Sequence, residues 1–185
     1  MLATPRTTLT VLRPDQAGLL HAYTLRNREH LAPWEPRRDE DHYTAHAAAE
    51  RVALQAKMFE NRLALHLAAL DRLSGEMVAA CSFTNFVFGP FQACHLGFSV
   101  DVRRQGDSLM FEVAQAAVSH VFATYDLHRI MANHMVGNER SARLLARLGF
   151  AREGVARSYL KINGRWEDHV LNSLLNPAHL AAESP

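Results

Sequence analysis

The fold is decided by the stretch ACHLGFSVDVRRQGDSLMFEVAQAAVSHVFAT, residues 93–124. Its first part, residues 93–100, is apolar and of strand length, and a polar loop with one glycine follows at 101–108. From Leu109 onward, apolar residues recur at steps of three and four, the spacing of one helical face. The stretch therefore predicts a strand, a tight loop and a helix.

The loop between this strand and this helix is a candidate anion site. The first amide groups of a helix lack internal acceptors and carry partial positive charge, and Arg103 and Arg104 lie beside them. A phosphate or pyrophosphate suits such a loop. From this stretch alone, a plain loop with a solvated arginine pair explains the pattern equally well.

Composition favours one metal-free domain over residues 1–185, with a polar tail at 177–185. Apolar residues make up 48% of the chain, enough for a sizeable core, and the 20 basic and 19 acidic residues leave a net charge of +1. The basic residues are dispersed, so no nucleic-acid or membrane surface is indicated. Cys81 and Cys94 lack metal-ligand spacing, and there is no basic region before an apolar run to indicate a signal peptide. We expect a cytoplasmic protein.

The remaining pattern predicts an α+β domain with a mixed sheet of seven strands and about four helices. Besides the central strand, strands are expected at 9–13, 63–70, 77–85, 129–135, 151–162 and 166–175. Helices are expected at 14–28, 43–60, from 109 onward and at 141–148. Because a helix separates 93–100 from 129–135, these two strands should be parallel. Asn163-Gly164 is a strong two-residue hairpin signal.

Several short motifs, spread in order over nearly the whole chain, resemble the GNAT acetyltransferases. They are QGDSLM at 105–110, LHRI at 127–130, NERS at 138–141 and LGF at 148–150. Within that family, the chain is most similar to ribosomal-protein-alanine N-acetyltransferases of the RimJ type, through PWEP at 33–36, FQAC at 91–94, HRIMAN at 128–133 and NGRWEDHVL at 163–171.

The resemblance implies a GNAT fold in which the two parallel strands splay apart and admit the pantetheine arm of acetyl-CoA. Backbone groups of Phe98, Ser99 and Val100 would pair with that arm. The pyrophosphate would lie on the amides of Gln105, Gly106, Asp107, Ser108, Leu109 and Met110, and Asn138 would flank the thioester end.

Ser108 departs from the family pattern, which has glycine at this position. A serine can crowd the phosphate, or strain the backbone if the site needs a positive φ. Alternatively, its hydroxyl donates to a phosphate oxygen. Asp107 adds a repelling charge that Arg103 and Arg104 can offset. We hypothesise that acetyl-CoA binding is retained, with an affinity that the serine can lower.

The resemblance also implies an activity, the N-acetylation of a protein N-terminus. The acceptor would be alanine or serine of a small-subunit ribosomal protein, which attacks directly in a ternary complex. Related enzymes often place a glutamate where this chain has Asn133, so Glu35 becomes the candidate base, or an acid that only attracts the positive peptide end. Trp34 and Tyr159 are candidates to line the peptide groove, although Trp34 can instead anchor its loop to the core.

Ser141 matches the serine assigned as the acid in related enzymes, whereas many family members use a tyrosine where this chain has Leu145. The alternative role for Ser141 is a helix cap, for which Asn138 is an equally good candidate. The backbone amide of Phe98 is the expected oxyanion donor. His95 and His134 can reach the slot, but a lone strand histidine is more often structural.

Two other functions fit the same sequence. One is acetylation of a small amine such as an antibiotic, since a fold does not fix its acceptor. The other is a ribosome-assembly binding module in which Ser108 reflects lost catalysis.

Overall fold

An eight-stranded mixed sheet organises the part of the chain that the structure, a computed structural model, describes: residues 1–182. The strands are β1 (Leu2–Ala3), β2 (Thr7–Thr10), β3 (Leu65–Asp71), β4 (Met77–Val87), β5 (Ala93–Val100), β6 (Arg129–Met135), β7 (Ala151–Ile162) and β8 (Arg165–Leu175). Their spatial order is β1-β2-β3-β4-β5-β6-β8-β7. The helices are α1 (Ala17–Leu31), α2 (Ala45–Glu60), α3 (Leu109–Tyr125), α4 (Glu139–Arg147) and α5 (Pro177–Ala182).

β5 and β6 are parallel, and they separate early. Their register pairs Ala93, Cys94 and His95 with residues 129–131 and then stops. On its outer edge, β5 stays paired with β4 as far as Val100, and β6 stays paired with β8 as far as Met135. The two inner edges therefore open into a wedge, which confirms the expected splayed pair.

α3 packs its apolar face against the sheet and so fixes the loop that precedes it. Leu109, Val113, Ala117 and Val121 are completely buried, in a core that includes Phe83 of β4. Burying a leucine or valine side chain contributes about 1.5–3 kcal/mol. A second apolar cluster, formed by Leu12, Tyr23, Val52, Ala68 and Met77, involves both α1 and α2.

Asp101 anchors the end of β5. Its carboxylate is fully buried and accepts hydrogen bonds from Arg26 of α1 and from the amide and side chain of Arg103. Burial alone would raise the pKa of Asp101, but these hydrogen bonds lower it to about 2. The charged carboxylate thus ties α1 to the point where the chain leaves the sheet.

Two elements were not expected from the sequence. β1 has only two residues, too few to show the alternation of apolar and polar residues that predicts a strand. It forms by pairing with β2, where Leu2 lies opposite Leu9. α5 occupies the first six residues of the predicted polar tail 177–185, and it begins beside Asn176, whose side chain accepts from the amide of Ala178. Residues 183–185 lie outside the described residues. The single domain over 1–185 stays a prediction.

Other element boundaries differ from the predicted ones through local capping. The first helix begins at Ala17 because residues 14–16 form a 3-10 turn, and α2 begins after Thr44, whose hydroxyl accepts from the amide of Ala47. α4 begins at Glu139 because Asn138 caps it. The first predicted strand, 9–13, lies at residues 7–10, in register with β3.

Ser108 adopts the left-handed conformation, with φ +62° and ψ +12°, at the N-terminus of α3. Gly106, two residues earlier, has φ +81°. The loop therefore requires a positive φ where the family pattern has glycine. A non-glycine residue held there costs roughly 1–2 kcal/mol.

We predict that Ser108→Val lowers the free energy of unfolding by about 1–2 kcal/mol, because a β-branched residue fits the left-handed region poorly. Ser108→Gly should leave it unchanged or raise it by up to about 1 kcal/mol, since relief of strain is partly offset by glycine's unfolded-state entropy. Urea denaturation measures both. Ser119→Val, at an exposed helical position of α3, is the matched control. A Ser108→Val protein as stable as the wild type would contradict the strain argument.

Candidate active site

A cavity of about 930 Å³ lies where β5 leaves β6, between the N-terminus of α3, the face of α4 and the end of α1. It collects all of the predicted coenzyme-binding residues except Asp107, together with two other predicted site residues. These are Phe98, Ser99, Val100, Gln105, Gly106, Ser108, Leu109, Met110 and Asn138, with Ser141 and Trp34. Glu35 and Tyr159 are not among its lining residues.

The loop before α3 offers free backbone donors to this cavity. Within residues 1–182, the amides of Gly106, Ser108 and Met110 have no hydrogen-bond acceptor. Amide groups at a helix N-terminus attract anions through their orientation and partial charge. The loop therefore has the donors that a diphosphate needs.

Asp107 uses one of the expected donors. Its carboxylate accepts from the amide of Leu109 at 2.9 Å and from Arg104 Nε at 3.0 Å, and Arg6 Nη1 lies 3.6 Å away. Partial burial would raise the pKa of Asp107, but the hydrogen bonds from Arg104 and Leu109 bring it below its ordinary value. The expectation that Arg103 helps to offset this charge is wrong, because Arg103 pairs with Asp101 and Glu76 instead.

Sequence reasoning missed the arginines of α4. Arg140, Arg143 and Arg147 all line the cavity, and their spacing of three and four residues, which places them on one helical face, was the available signal. Arg140 donates to the side-chain oxygen of Gln105, and the Gln105 nitrogen contacts His30 of α1 at 2.6 Å. These contacts link α1, the loop and α4 around the cavity.

The features of this cavity fit acetyl-CoA. The edge of β5 that β6 leaves unpaired suits the amide-containing pantetheine arm, free loop amides suit a diphosphate, and several guanidinium groups suit an anionic ligand. The hydroxyl of Ser99 is hydrogen-bonded to Tyr23 at 2.8 Å. Ser99 therefore offers its backbone groups to a ligand in the cavity, and not its side chain.

Asn138 is the cap of α4, so Ser141 is not needed for capping. The Asn138 side-chain oxygen accepts from the amide of Ser141 at 3.1 Å. The Ser141 hydroxyl has no hydrogen-bond partner in the described part of the chain, and Ser141 lines the cavity. Leu145, at the position where many relatives carry tyrosine, is buried in the core.

Glu35 lies beside the cavity in the segment after α1. Its backbone oxygen accepts from the amide of Asn163 at 2.9 Å, which ties the segment to the β7–β8 hairpin turn. Burial raises the pKa of the Glu35 carboxyl, and the nearby charges of Arg38 and Arg51 oppose that rise only in part. No described residue donates a hydrogen bond to the carboxylate. The neighbouring Trp34 is 41% exposed and faces the cavity.

Tyr159 of β7 and Asn133 of β6 form a polar pair across β8, the strand that lies between theirs. A bulge between Ala156 and Leu160 includes Ser158 in the left-handed region, and the Tyr159 hydroxyl accepts from Asn133 Nδ2 at 3.2 Å. Bulges of this kind re-aim a side chain. Tyr159 therefore points to the position where related enzymes often carry glutamate.

The two strand histidines differ in their surroundings. His134 Nδ1 contacts the carbonyl of Met135 at 2.9 Å, as a structural histidine does. His95 occupies the last paired position before β5 and β6 separate, and its buried Nδ1 has no partner among residues 1–182. Burial lowers the pKa of His95, which favours its neutral form.

Two classes of feature were not found among residues 1–182. No helix there has the length and apolar character needed to cross a membrane, and no group of three or more His, Cys, Asp or Glu side chains is arranged to hold a metal ion.

Comparison with known proteins connects this geometry to a family. A profile of the acetyltransferase (GNAT) domain matches residues 6–151. The chain is 40% identical over 176 residues to the [ribosomal protein uS5]-alanine N-acetyltransferase of Escherichia coli K12. The aligned region covers 95% of this chain and 91% of that protein.

Solved structures agree with this result. The ribosomal-protein-S5-alanine acetyltransferase from Vibrio fischeri superposes with a TM-score of 0.91 at 35% identity, covering 95% of this chain and 96% of that one. Mycobacterium smegmatis RimJ in complex with CoA-disulfide gives a TM-score of 0.86 at 25% identity, covering 93% of this chain and 83% of that one. The chain belongs to the GNAT family of N-acetyltransferases, enzymes that use acetyl-CoA.

Proposed function

We propose that this chain transfers an acetyl group from acetyl-CoA to the α-amine of a protein N-terminus, alanine or serine of a small-subunit ribosomal protein. The observation that carries the proposal is a single cavity that combines the part of β5 left unpaired by β6 with the free amides before α3. The Escherichia coli and Vibrio fischeri relatives, both named for acetylating a ribosomal-protein alanine, support the choice of acceptor. The proposal includes a cytoplasmic location and association with ribosomal particles.

The coenzyme would supply the activated acetyl group. Phe98, Ser99 and Val100 would hold its pantetheine arm through their backbone, and residues 105–110 would hold its diphosphate, with the Leu109 amide already engaged by Asp107. The Phe98 amide would stabilise the oxyanion that develops on the acetyl oxygen, since a fixed dipole needs no rearrangement during the reaction.

Glu35 would accept the proton that the acceptor amine must lose. An α-amine has a pKa of about 7.7–8.0 against roughly 10.4 for lysine, so a carboxylate with a raised pKa, acting directly or through water, can serve as its base. Burial of Glu35 and the absence of a hydrogen-bond donor to its carboxylate among the described residues support this role. Trp34 and Tyr159 would line the path of the peptide.

Ser141 would act as the general acid that protonates the departing thiolate of the coenzyme. As the new carbon–nitrogen bond forms and the carbon–sulfur bond breaks, the Ser141 hydroxyl would donate its proton to the departing sulfur, and the proton that Glu35 took from the amine would return to Ser141 through solvent. Capping of α4 by Asn138 leaves that hydroxyl available, and Ser141 lines the cavity.

The test of this function is incubation of the full chain with acetyl-CoA and a panel of acceptors, read by intact mass. We expect addition of one acetyl group to peptides with N-terminal alanine or serine from small-subunit ribosomal proteins. The same peptides with a blocked N-terminus and an internal lysine are the control. Transfer only to small amines, or cosedimentation with ribosomal particles without any transfer, would contradict the proposal.

We predict that Glu35→Gln lowers kcat by about 10²–10⁴, the usual worth of a general base, while acetyl-CoA affinity stays unchanged. The wild-type rate should fall as the pH drops through the raised pKa of Glu35, because only the carboxylate accepts a proton, and the variant should lack this acid limb. Steady-state kinetics over pH measures both effects.

Glu40→Gln is the matched control, since Glu40 is an exposed acid of the same segment that pairs with Arg28. An increase in KM with unchanged kcat for Glu35→Gln would show that Glu35 only attracts the charged peptide end.

We predict that Ser141→Ala lowers kcat by about 10²–10⁴, as expected for loss of a general acid, and leaves the unfolding midpoint unchanged. Asn138→Ala should instead lower stability by about 1 kcal/mol, because it removes the cap. Single-turnover kinetics and thermal denaturation separate these effects. Wild-type turnover in a folded Ser141→Ala protein would remove Ser141 from the mechanism.

A further inference from the structure

Arg147, in the last turn of α4, is a cation of the cavity without an acidic partner in the described part of the chain. Its guanidinium lies 3.9 Å above the ring centre of Phe111, and its Nη1 donates to Ser108 Oγ at 2.9 Å. By contrast, Arg104 pairs with Asp71 and Asp107, and Arg143 pairs with Glu139. Arg147 is thus held in a fixed plane with its charge uncompensated.

The position of Arg147 assigns it to one end of the cavity. Ser141 lies near the start of α4, and Arg147 is six residues further, which corresponds to about 9 Å along a helix. The facing loop runs in the same direction as α4, because its earlier residue Gln105 contacts Arg140 and its later residue Ser108 contacts Arg147. If Ser141 is at the thioester end, as the proposed function has it, Arg147 lies at the nucleotide end.

At the nucleotide end, the coenzyme carries a phosphate group in addition to the diphosphate that the loop amides can bind. Its diphosphate suits the free amides of Gly106, Ser108 and Met110, but the adenosine 3′-phosphate is a monoester with a charge of about −1.5 to −2 at pH 7. A planar guanidinium binds such a group through two parallel hydrogen bonds, and stacking on an aromatic ring keeps its edge available.

We propose that Arg147, stacked on Phe111 and braced by the Ser108 hydroxyl, binds the 3′-phosphate of the coenzyme's adenosine and makes this chain selective for CoA over 3′-dephospho-CoA. This inference rests on the proposed function, because it needs acetyl-CoA in the same cavity. It also gives the strained Ser108 a positioning role, since glycine has no hydroxyl to orient the arginine.

Isothermal titration calorimetry of the full chain with CoA and with 3′-dephospho-CoA tests the inference. We expect the wild type to prefer CoA by about tenfold, a modest gain for charge-assisted hydrogen bonds. Arg147→Gln should weaken CoA by about tenfold, leave 3′-dephospho-CoA within about twofold, and so abolish the preference. Arg147→Lys should keep part of it, because the charge remains but the planar fork is lost.

Arg152→Gln, which removes an exposed arginine of β7 that does not line the cavity, is the matched control and should retain the full preference. An equal loss for both ligands in Arg147→Gln, or a wild type that binds both equally, would overturn the 3′-phosphate assignment and leave the proposed function standing. A wild type that binds neither ligand would overturn the proposed function itself.

Discussion

β5 and β6 hydrogen-bond to each other over only three register positions, and the site depends on that early separation. Unpaired backbone edges are costly unless something else satisfies them, and here β4 and β8 hold the outer edges while the inner ones open. The buried face of α3 and the buried Asp101 fix the two sides of the opening. A cavity with backbone donors therefore exists before any ligand enters it.

The loop before α3 contains a strained residue, Ser108, and an acidic residue, Asp107, whose charge is neutralised by arginines. Its free amides attract an anion, while Asp107 lies at the same helix terminus and would repel one if Arg104 and Arg6 did not neutralise it. Ser108 is held in the left-handed backbone conformation, and its hydroxyl accepts a hydrogen bond from Arg147. Strain of this kind persists where the surrounding structure over-determines it, commonly at functional sites.

Local signals allowed much of the fold to be predicted. The apolar run of β5, the helical spacing of α3 and the Asn163-Gly164 turn, whose two residues both have positive φ, depend on neighbours in the chain. β1, the start of α5 and the choice of Arg104 over Arg103 as the partner of Asp107 depend on residues distant in sequence. The stacking of Arg147 on Phe111 also joins residues distant in sequence, so no local pattern predicts it. The roles of Glu35, Ser141 and Tyr159 stay predictions.

Hydrogen–deuterium exchange of the full chain with and without CoA tests the central claim most directly, because it measures the backbone amides themselves. Ligand binding in the wedge should slow exchange at residues 97–100 and 105–110 while leaving β1, β2 and β3 unchanged. Protection confined to other parts of the chain, with residues 105–110 exchanging as fast in the presence of saturating CoA, would contradict the account.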